Sequence, residues 1–279
     1  ESLEHVIYSR LSWLKEENAM TFEMGFILLG IIQIFGFFVE GSAGFGCTVI
    51  SSPFATSILG VTTAVPFGTI MSTSLALILT LKSLKNISWK DLGKILIACL
   101  PGLLVGQYLF YAIDPAMAKI AIGAVVMVIA LFKIYQNIIV PLVLKKEMKE
   151  EDDSPKAKVL RVICLITGGI VHGAFNIGGP LITVYTLSAV KDKTRFRNTM
   201  ICFWCIMDTL NAINQFRNGA WTPYLWSAVA VCWPFAAVGF LLGIKFLDKI
   251  NREQFLRVIY VVLFAVGCNL FVRSLIEVI

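Results

Sequence analysis

Two glycine-rich segments carry the residue types that could bind a small anion. One covers 39–46 and the other 171–178, and a single shift of the chain lays the first segment on the second. Glycine lets the backbone approach a ligand closely, and a helix that begins at such a turn presents free N–H groups and partial positive charge. We expect two such helix starts to hold an oxyanion. The anion-contacting candidates are Gly41, Ser42, Gly44, Gly46, Thr48, Asn176, Gly178, Gly179, Asn198 and Thr199.

Three titratable residues close to these segments could carry a proton. Glu40 opens the first turn, His172 occupies the matching place in the second, and Asp208 lies in the apolar run 198–216. Charged groups inside a membrane are costly and usually functional, and histidine exchanges protons near neutral pH. A carboxylate that faced an anion would repel it unless it were protonated. We therefore expect Glu40, His172 and Asp208 to couple a proton to the binding of the anion.

Each of these residues also has a purely structural interpretation. The glycines could simply allow helices to pack closely, as small residues do in membranes. Glu40 and His172 could lock the two turns with hydrogen bonds, and Asn176 could occupy a left-handed turn. Asp208 lies one helical turn from Asn211, and the two could line a cavity or pair with a neighbouring helix.

The sequence lacks the common catalytic and metal-binding patterns. It contains neither a His-Glu-x-x-His nor a Gly-x-Ser-x-Gly segment, and its two histidines are too few for a histidine-based metal site. The seven cysteines lie in apolar segments and form no disulfide framework, so we interpret them as small buried hydrophobic residues. We expect no catalytic residue, no metal and no cofactor, and therefore not an enzyme.

The composition is typical of an integral membrane protein. Hydrophobic residues make up 57% of the 279 residues and charged residues 15%, against roughly 25% charged in a soluble domain; the mean hydropathy is +0.80. The net charge of +6 is spread over short loops, which argues against a nucleic-acid partner and for a lipid bilayer. Apolar runs long enough to cross a bilayer cover 62–81, 95–113, 117–140, 198–216, 224–244 and 258–276.

The matching segments divide the chain into two repeats of the same plan. Each repeat is expected to hold a glycine-broken helical hairpin followed by three transmembrane helices. The hairpin arms, such as 22–38 and 47–60, are shorter than a bilayer core, which favours re-entrant hairpins over two full spans. The expected parts are an amphipathic or interfacial segment over 1–20, a first repeat over 21–144, a charged linker over 145–159 and a second repeat over 160–279.

The positions of the basic residues orient these repeats. Most of the 24 lysines and arginines fall in the loop 82–94, in the linker and in the segments 191–197 and 245–257, which the positive-inside rule assigns to the cytoplasm. Both termini then lie outside the cell (inner) membrane, and the two hairpins enter it from opposite sides. The predicted fold is an all-α membrane protein of two inverted-topology repeats. Such repeats with broken helices are typical of secondary transporters that work by alternating access, and an anion channel of the same fold is the alternative.

The second turn resembles one known family. Residues 172–180, His-Gly-Ala-Phe-Asn-Ile-Gly-Gly-Pro, and residues 197–199, Arg-Asn-Thr, are similar to segments of the TauE/SafE sulfite exporters. The first turn departs from that pattern, because residues 42–47 replace a run of glycines and Phe67 stands where the second repeat has Arg197. The resemblance implies export of sulfite, sulfoacetate or another organosulfonate, driven by a proton or by the membrane potential. The residues themselves indicate only a small anion, and a homodimer is one assembly that they allow.

Overall fold

A computed structural model describes residues 24–109, 134–143, 154–176 and 178–278, together with single positions between 120 and 131. The interfacial segment expected over 1–20 lies outside the described residues, as does most of the linker expected over 145–159. Much of the apolar run 117–140 lies outside them as well.

The described part of the chain is helical, as the composition predicts. A 3-10 turn, Leu84–Asn86, joins two of the helices, and a π-helical segment, Tyr135–Val143, precedes the second half. The α-helices are α1 (Met24–Ala43), α2 (Cys47–Leu59), α3 (Val61–Ser83), α4 (Trp89–Leu109), α5 (Pro155–Phe175), α6 (Gly179–Ala189), α7 (Lys193–Arg217), α8 (Pro223–Lys249) and α9 (Arg252–Val278). Within the described residues, the stretches long and apolar enough to cross a membrane are Met24–Ala43, Thr62–Asn86, Pro223–Lys249 and Glu253–Arg273.

The helix starts are of two kinds. Ser154, Asp192 and Thr222 precede α5, α7 and α8, and each side chain accepts a hydrogen bond from a backbone N–H of the first turn. By contrast, α2 and α6 begin after Gly46 and Gly178, which have no side chain to offer. The free N–H groups of these two helices are therefore available to other partners.

The first arm of each hairpin is longer than the sequence suggests. The helix α1 runs for 20 residues through Gly41 to Ala43, and α5 runs for 21 residues to Phe175. Each arm is then about 30 Å long, the thickness of a bilayer core, so the expectation that both arms fall short is wrong for the first arms. The second arms, α2 and α6, have 13 and 11 residues and are too short to span.

Close glycine contacts hold each first arm against a helix of the other half. A methyl group added at Gly41 or Gly239 would overlap backbone atoms of the facing helix, so α1 and α8 touch backbone to backbone. Added at Gly169 or Gly173, it would overlap the backbone of α4 in the same way. These glycines allow the helices to pack closely, which was the structural alternative to an anion-binding role in the sequence analysis.

The helix α7 lies between two hydrophobic clusters. One cluster is built mainly from α4, α5, α6 and α9, and the other mainly from α1, α2, α3 and α8. The helix contributes Met200, Trp204 and Met207 to the first cluster and Ile201 and Cys205 to the second. Its polar residues are thereby brought to the boundary between the clusters, where the two glycine-rich turns also lie.

Candidate functional site

A small, partly open cavity lies between the two turns. Its volume is about 20 Å³, room for about one water molecule. Both halves of the chain form its wall. The lining residues are Glu40, Phe45, Gly46, Thr48, Val49 and Ser72 from the first half, and His172, Asn176, Gly179, Trp204 and Asp208 from the second. Seven of the thirteen residues predicted from the sequence are among them.

The first turn places a carboxylate at the start of α2. Gly44 and Gly46 have φ angles of 83° and 114°, in the left-handed region that favours glycine, and they reverse the chain between α1 and α2. Glu40, in the last turn of α1, is 2% exposed. Its carboxylate interacts with the backbone N–H and the thiol of Cys47, and the Ser72 hydroxyl lies 3.4 Å from its Oε1.

The second turn is closed by Asn176. Its φ of 58° is left-handed, and its N–H donates to the carbonyl oxygen of His172 over 2.8 Å, which ends α5. Its side-chain oxygen also accepts a hydrogen bond of 3.3 Å from Asn211, whose own oxygen accepts one of 2.8 Å from Gln107. Asn176 therefore occupies a left-handed turn, which was one of its two interpretations from the sequence. It also presents its side chain to the cavity.

His172 and Asp208 form a buried pair across the cavity wall. Nε2 of His172 lies 3.2 Å from Oδ1 of Asp208, and each residue is 2% exposed. The approach lies off hydrogen-bond geometry, so both imidazole nitrogens and this oxygen lack a hydrogen-bond partner among the described residues. Buried polar groups are nearly always hydrogen-bonded, and exceptions are typical of sites that bind a ligand or carry a proton.

The indole of Trp204 connects the two turns. Its Nε1 donates a hydrogen bond of 2.9 Å to the carbonyl oxygen of Gly44 in the first turn. Its ring centroid lies 4.8 Å from that of His172, which precedes the second turn. A rearrangement at either turn must therefore move this side chain or break one of its contacts.

Six of the predicted site residues do not line the cavity. Gly41 packs against Phe240, and the Ser42 hydroxyl donates to the carbonyl oxygen of Val39. Gly44 and Gly178 belong to the two turns, and neither lines the cavity.

Asn198 and Thr199 face other partners. The side-chain oxygen of Asn198 accepts hydrogen bonds from Nε and Nη2 of Arg197, at 3.0 and 2.9 Å. The Thr199 hydroxyl accepts a hydrogen bond of 2.9 Å from the N–H of Ser88. These two residues tie α7 to itself and to the start of α4 in this structure.

Four lining residues are missing from the sequence-based set: Phe45, Val49, Ser72 and Trp204. The shift that lays Glu40 on His172 also lays Ser72 on Trp204. Both follow their hairpin by the same distance along the chain, and both face the cavity. Extending the repeat register beyond the turns would have found this pair.

The fold and the cavity define a class of protein. A helical chain with several candidate spans, and with a small cavity lined partly by polar side chains at two helix breaks, is a multi-pass membrane protein with the features of a transporter. The family described as sulfite exporter TauE/SafE matches residues 28–270, and the chain belongs to this family. Its members are membrane transporters of sulfur-containing anions and not enzymes. No curated protein and no solved structure matches the chain.

Proposed function

We propose that this chain is a secondary transporter that exports a small sulfur-containing anion, such as sulfite, sulfoacetate or another organosulfonate, by alternating access. One observation carries the proposal: both halves of the chain build one small cavity, lined by polar and apolar side chains, at the starts of two helices, α2 and α6, that have no side-chain cap. Helix starts of this kind attract anions through free N–H groups and partial positive charge.

Donors from both turns are available to an oxyanion. Thr48 offers a hydroxyl and Asn176 an amide, and the backbone at Gly46 and Gly179 can be approached closely because neither residue has a side chain. A sulfite ion, with three oxygens around sulfur, is larger than a cavity that holds about one water. Entry of the anion therefore requires the walls to separate, as alternating access demands and as an open pore does not.

The charges in the cavity favour coupling to a proton. Two like charges about 4 Å apart repel by about 4 kcal/mol at the effective dielectric of partly buried sites. An anion in this cavity would face the carboxylates of Glu40 and Asp208. Protonation of Glu40 or Asp208, or of His172, lowers this repulsion, and we assign proton coupling to these three residues.

Reciprocal packing supports two inverted repeats. The first arm of each hairpin packs on a long helix of the other half, α1 on α8 and α5 on α4. A two-fold relation between the halves would produce this exchange. With the basic residues inside, the linker is cytoplasmic and both termini are outside.

The test is flux in proteoliposomes that contain the full chain. Vesicles are loaded with sulfite, sulfoacetate, isethionate or sulfate, and counterflow of the labelled anion is measured with and without a pH gradient. Saturable counterflow of sulfite or a sulfonate that responds to the gradient is the expected result. Conductance without counterflow would identify a channel instead, and absence of flux by folded protein would overturn the proposal.

A further inference from the structure

The start of α2 already holds a carboxyl group of the protein. Its N-cap residue is Gly46, which has no side chain, and the acceptor at this helix start comes from Glu40 in the preceding helix. The carboxylate interacts with the N–H and the thiol of Cys47, and the Ser72 hydroxyl lies 3.4 Å away. Free N–H groups, a thiol and a hydroxyl are the donors that an oxyanion would use there.

The start of α6 differs at the matching position. There the shift of the repeat lays His172 on Glu40, so a group that can be positively charged replaces the acid. His172 lies against Asp208, and Oδ1 of Asp208 is buried in the cavity wall without a hydrogen-bond partner among the described residues. Of the two uncapped helix starts at the cavity, α2 is therefore the one whose donors are engaged by an internal carboxylate.

The carboxylate and a bound anion would compete for the same place. The cavity has room for about one water beside Glu40, too little for an oxyanion at the same donors. The titratable groups that face Glu40 are Cys47 on α2, His172 on α5 and Asp208 on α7. On α3, the group that faces Glu40 is the hydroxyl of Ser72, which is neutral. The helix α8 packs on α1 at Gly41, and its contact with α1 there is through backbone atoms.

We propose that Glu40 is a tethered competitor of the transported anion: its carboxylate holds the oxyanion position at the start of α2 and must take up a proton and withdraw before the anion binds. The inference rests on the proposed function and specifies its coupling. Each anion that binds then brings one proton onto the Glu40 carboxyl. The proton returns to water when the anion leaves and the carboxylate re-engages the N–H of Cys47. Proton and anion then cross in the same direction, so export runs down the outward concentration gradient of the anion and an inward proton gradient opposes it.

The test is binding of isethionate to the purified full chain by calorimetry, at about pH 5 and at about pH 8. Isethionate is the probe because its sulfonate keeps one negative charge over this range, whereas sulfite exchanges a proton near neutrality. Wild-type affinity should fall by up to about tenfold per pH unit above the ionisation of Glu40. Glu40→Gln cannot ionise, so at about pH 8 it should bind at least about tenfold more tightly than wild type and differ little at about pH 5.

A gain of affinity separates this role from a structural one, because loss of a merely supporting residue weakens binding. Asp208→Asn is the comparison variant, since it removes the other carboxylate of the cavity, which would repel the anion but lies against His172 and not at the start of α2. Its gain in affinity should therefore be smaller than that of Glu40→Gln, and an equal gain would indicate a general charge effect and overturn the assignment to Glu40. A second measurement needs no variant: at about pH 8 the wild-type protein should take up close to one proton per isethionate bound, read with an indicator dye in weak buffer.

Failure of this inference differs from failure of the proposed function. If wild type binds isethionate but takes up no proton, or if Glu40→Gln gains no affinity, Glu40 is not a competitor while the anion site stands. If neither protein binds isethionate, sulfoacetate or sulfite at either pH, the proposed function fails together with the inference.

Discussion

Adding one methyl group at either of two adjacent glycines of the second turn should have different effects. At Gly179 it should weaken anion binding, and at Gly178 it should lower the stability of the protein. At Gly179, a Cβ would lie 3.4 Å from Trp204 and 3.5 Å from Phe45, which are ordinary contact distances, and it would enter the cavity wall. At Gly178, a Cβ would overlap the carbonyl oxygen of Gly168 and lie 2.7 Å from Cβ of His172. The first change tests the cavity and the second tests the packing of the turn.

The expected magnitudes follow from these contacts. Gly179→Ala should leave the free energy of unfolding within about 1 kcal/mol of wild type, because the methyl group meets only van der Waals neighbours. The methyl group fills about the space of one water molecule in the cavity. It should therefore weaken anion binding by about 1–3 kcal/mol, which is about 5- to 150-fold in affinity. Gly178→Ala should cost about 3 kcal/mol or more in stability, because its obstacle is backbone of α5. The φ of −67° at Gly178 suits alanine, so only the close approach forbids it.

Thermal unfolding in detergent and counterflow in proteoliposomes measure the two effects. Gly93→Ala is the matched control, because a Cβ there meets nothing within 4 Å; it should leave flux unchanged and raise stability by no more than the roughly 1 kcal/mol of helix propensity. Wild-type flux by Gly179→Ala would refute the assignment of the cavity as the anion site. Wild-type stability of Gly178→Ala would refute the packing described for the second turn.

Three further substitutions separate structural from binding roles. Trp204→Phe keeps the ring but removes the donor to the Gly44 carbonyl oxygen, so stability should fall by about 1–3 kcal/mol and flux should fall with it; unchanged melting would contradict the bond. Asn176→Gly keeps a left-handed residue and removes the amide, so the protein should fold and lose flux, and full flux would reduce Asn176 to a turn residue. Thr199→Val should lower the melting temperature, since it leaves the N–H of Ser88 without its acceptor, and should not change the anion concentration for half-maximal flux.

The repeat in the sequence predicted the helix breaks but not which residues form them. Within the run Gly41–Gly46, the left-handed residues are Gly44 and Gly46, while Gly41 stays helical and packs on Phe240. Side-chain patterns do not distinguish a glycine needed for a turn from one needed for packing, because both lack a Cβ. For Gly41, the contact with Phe240 of α8, about two hundred residues later in the chain, shows that this glycine is needed for packing.

The polar residues of the site were predictable because placing a polar or charged side chain inside a membrane costs free energy. Glu40, His172, Asn176 and Asp208 stand out in apolar surroundings, and all four line the cavity. Thr199 stands out in the same way, yet its hydroxyl binds the N–H of Ser88. A polar group inside a membrane must find a partner, but the sequence does not say whether that partner is a ligand or the protein itself.

The division of the hydrophobic core makes the two halves of the chain interdependent. The cluster around α1, α2 and α3 is completed by α8 from the second half, and the cluster around α5, α6 and α9 is completed by α4 from the first. The two halves therefore exchange helices across the boundary between the clusters. Without its partner half, each first arm would present to lipid the glycine face that now touches a facing backbone, so we expect the two halves to unfold together.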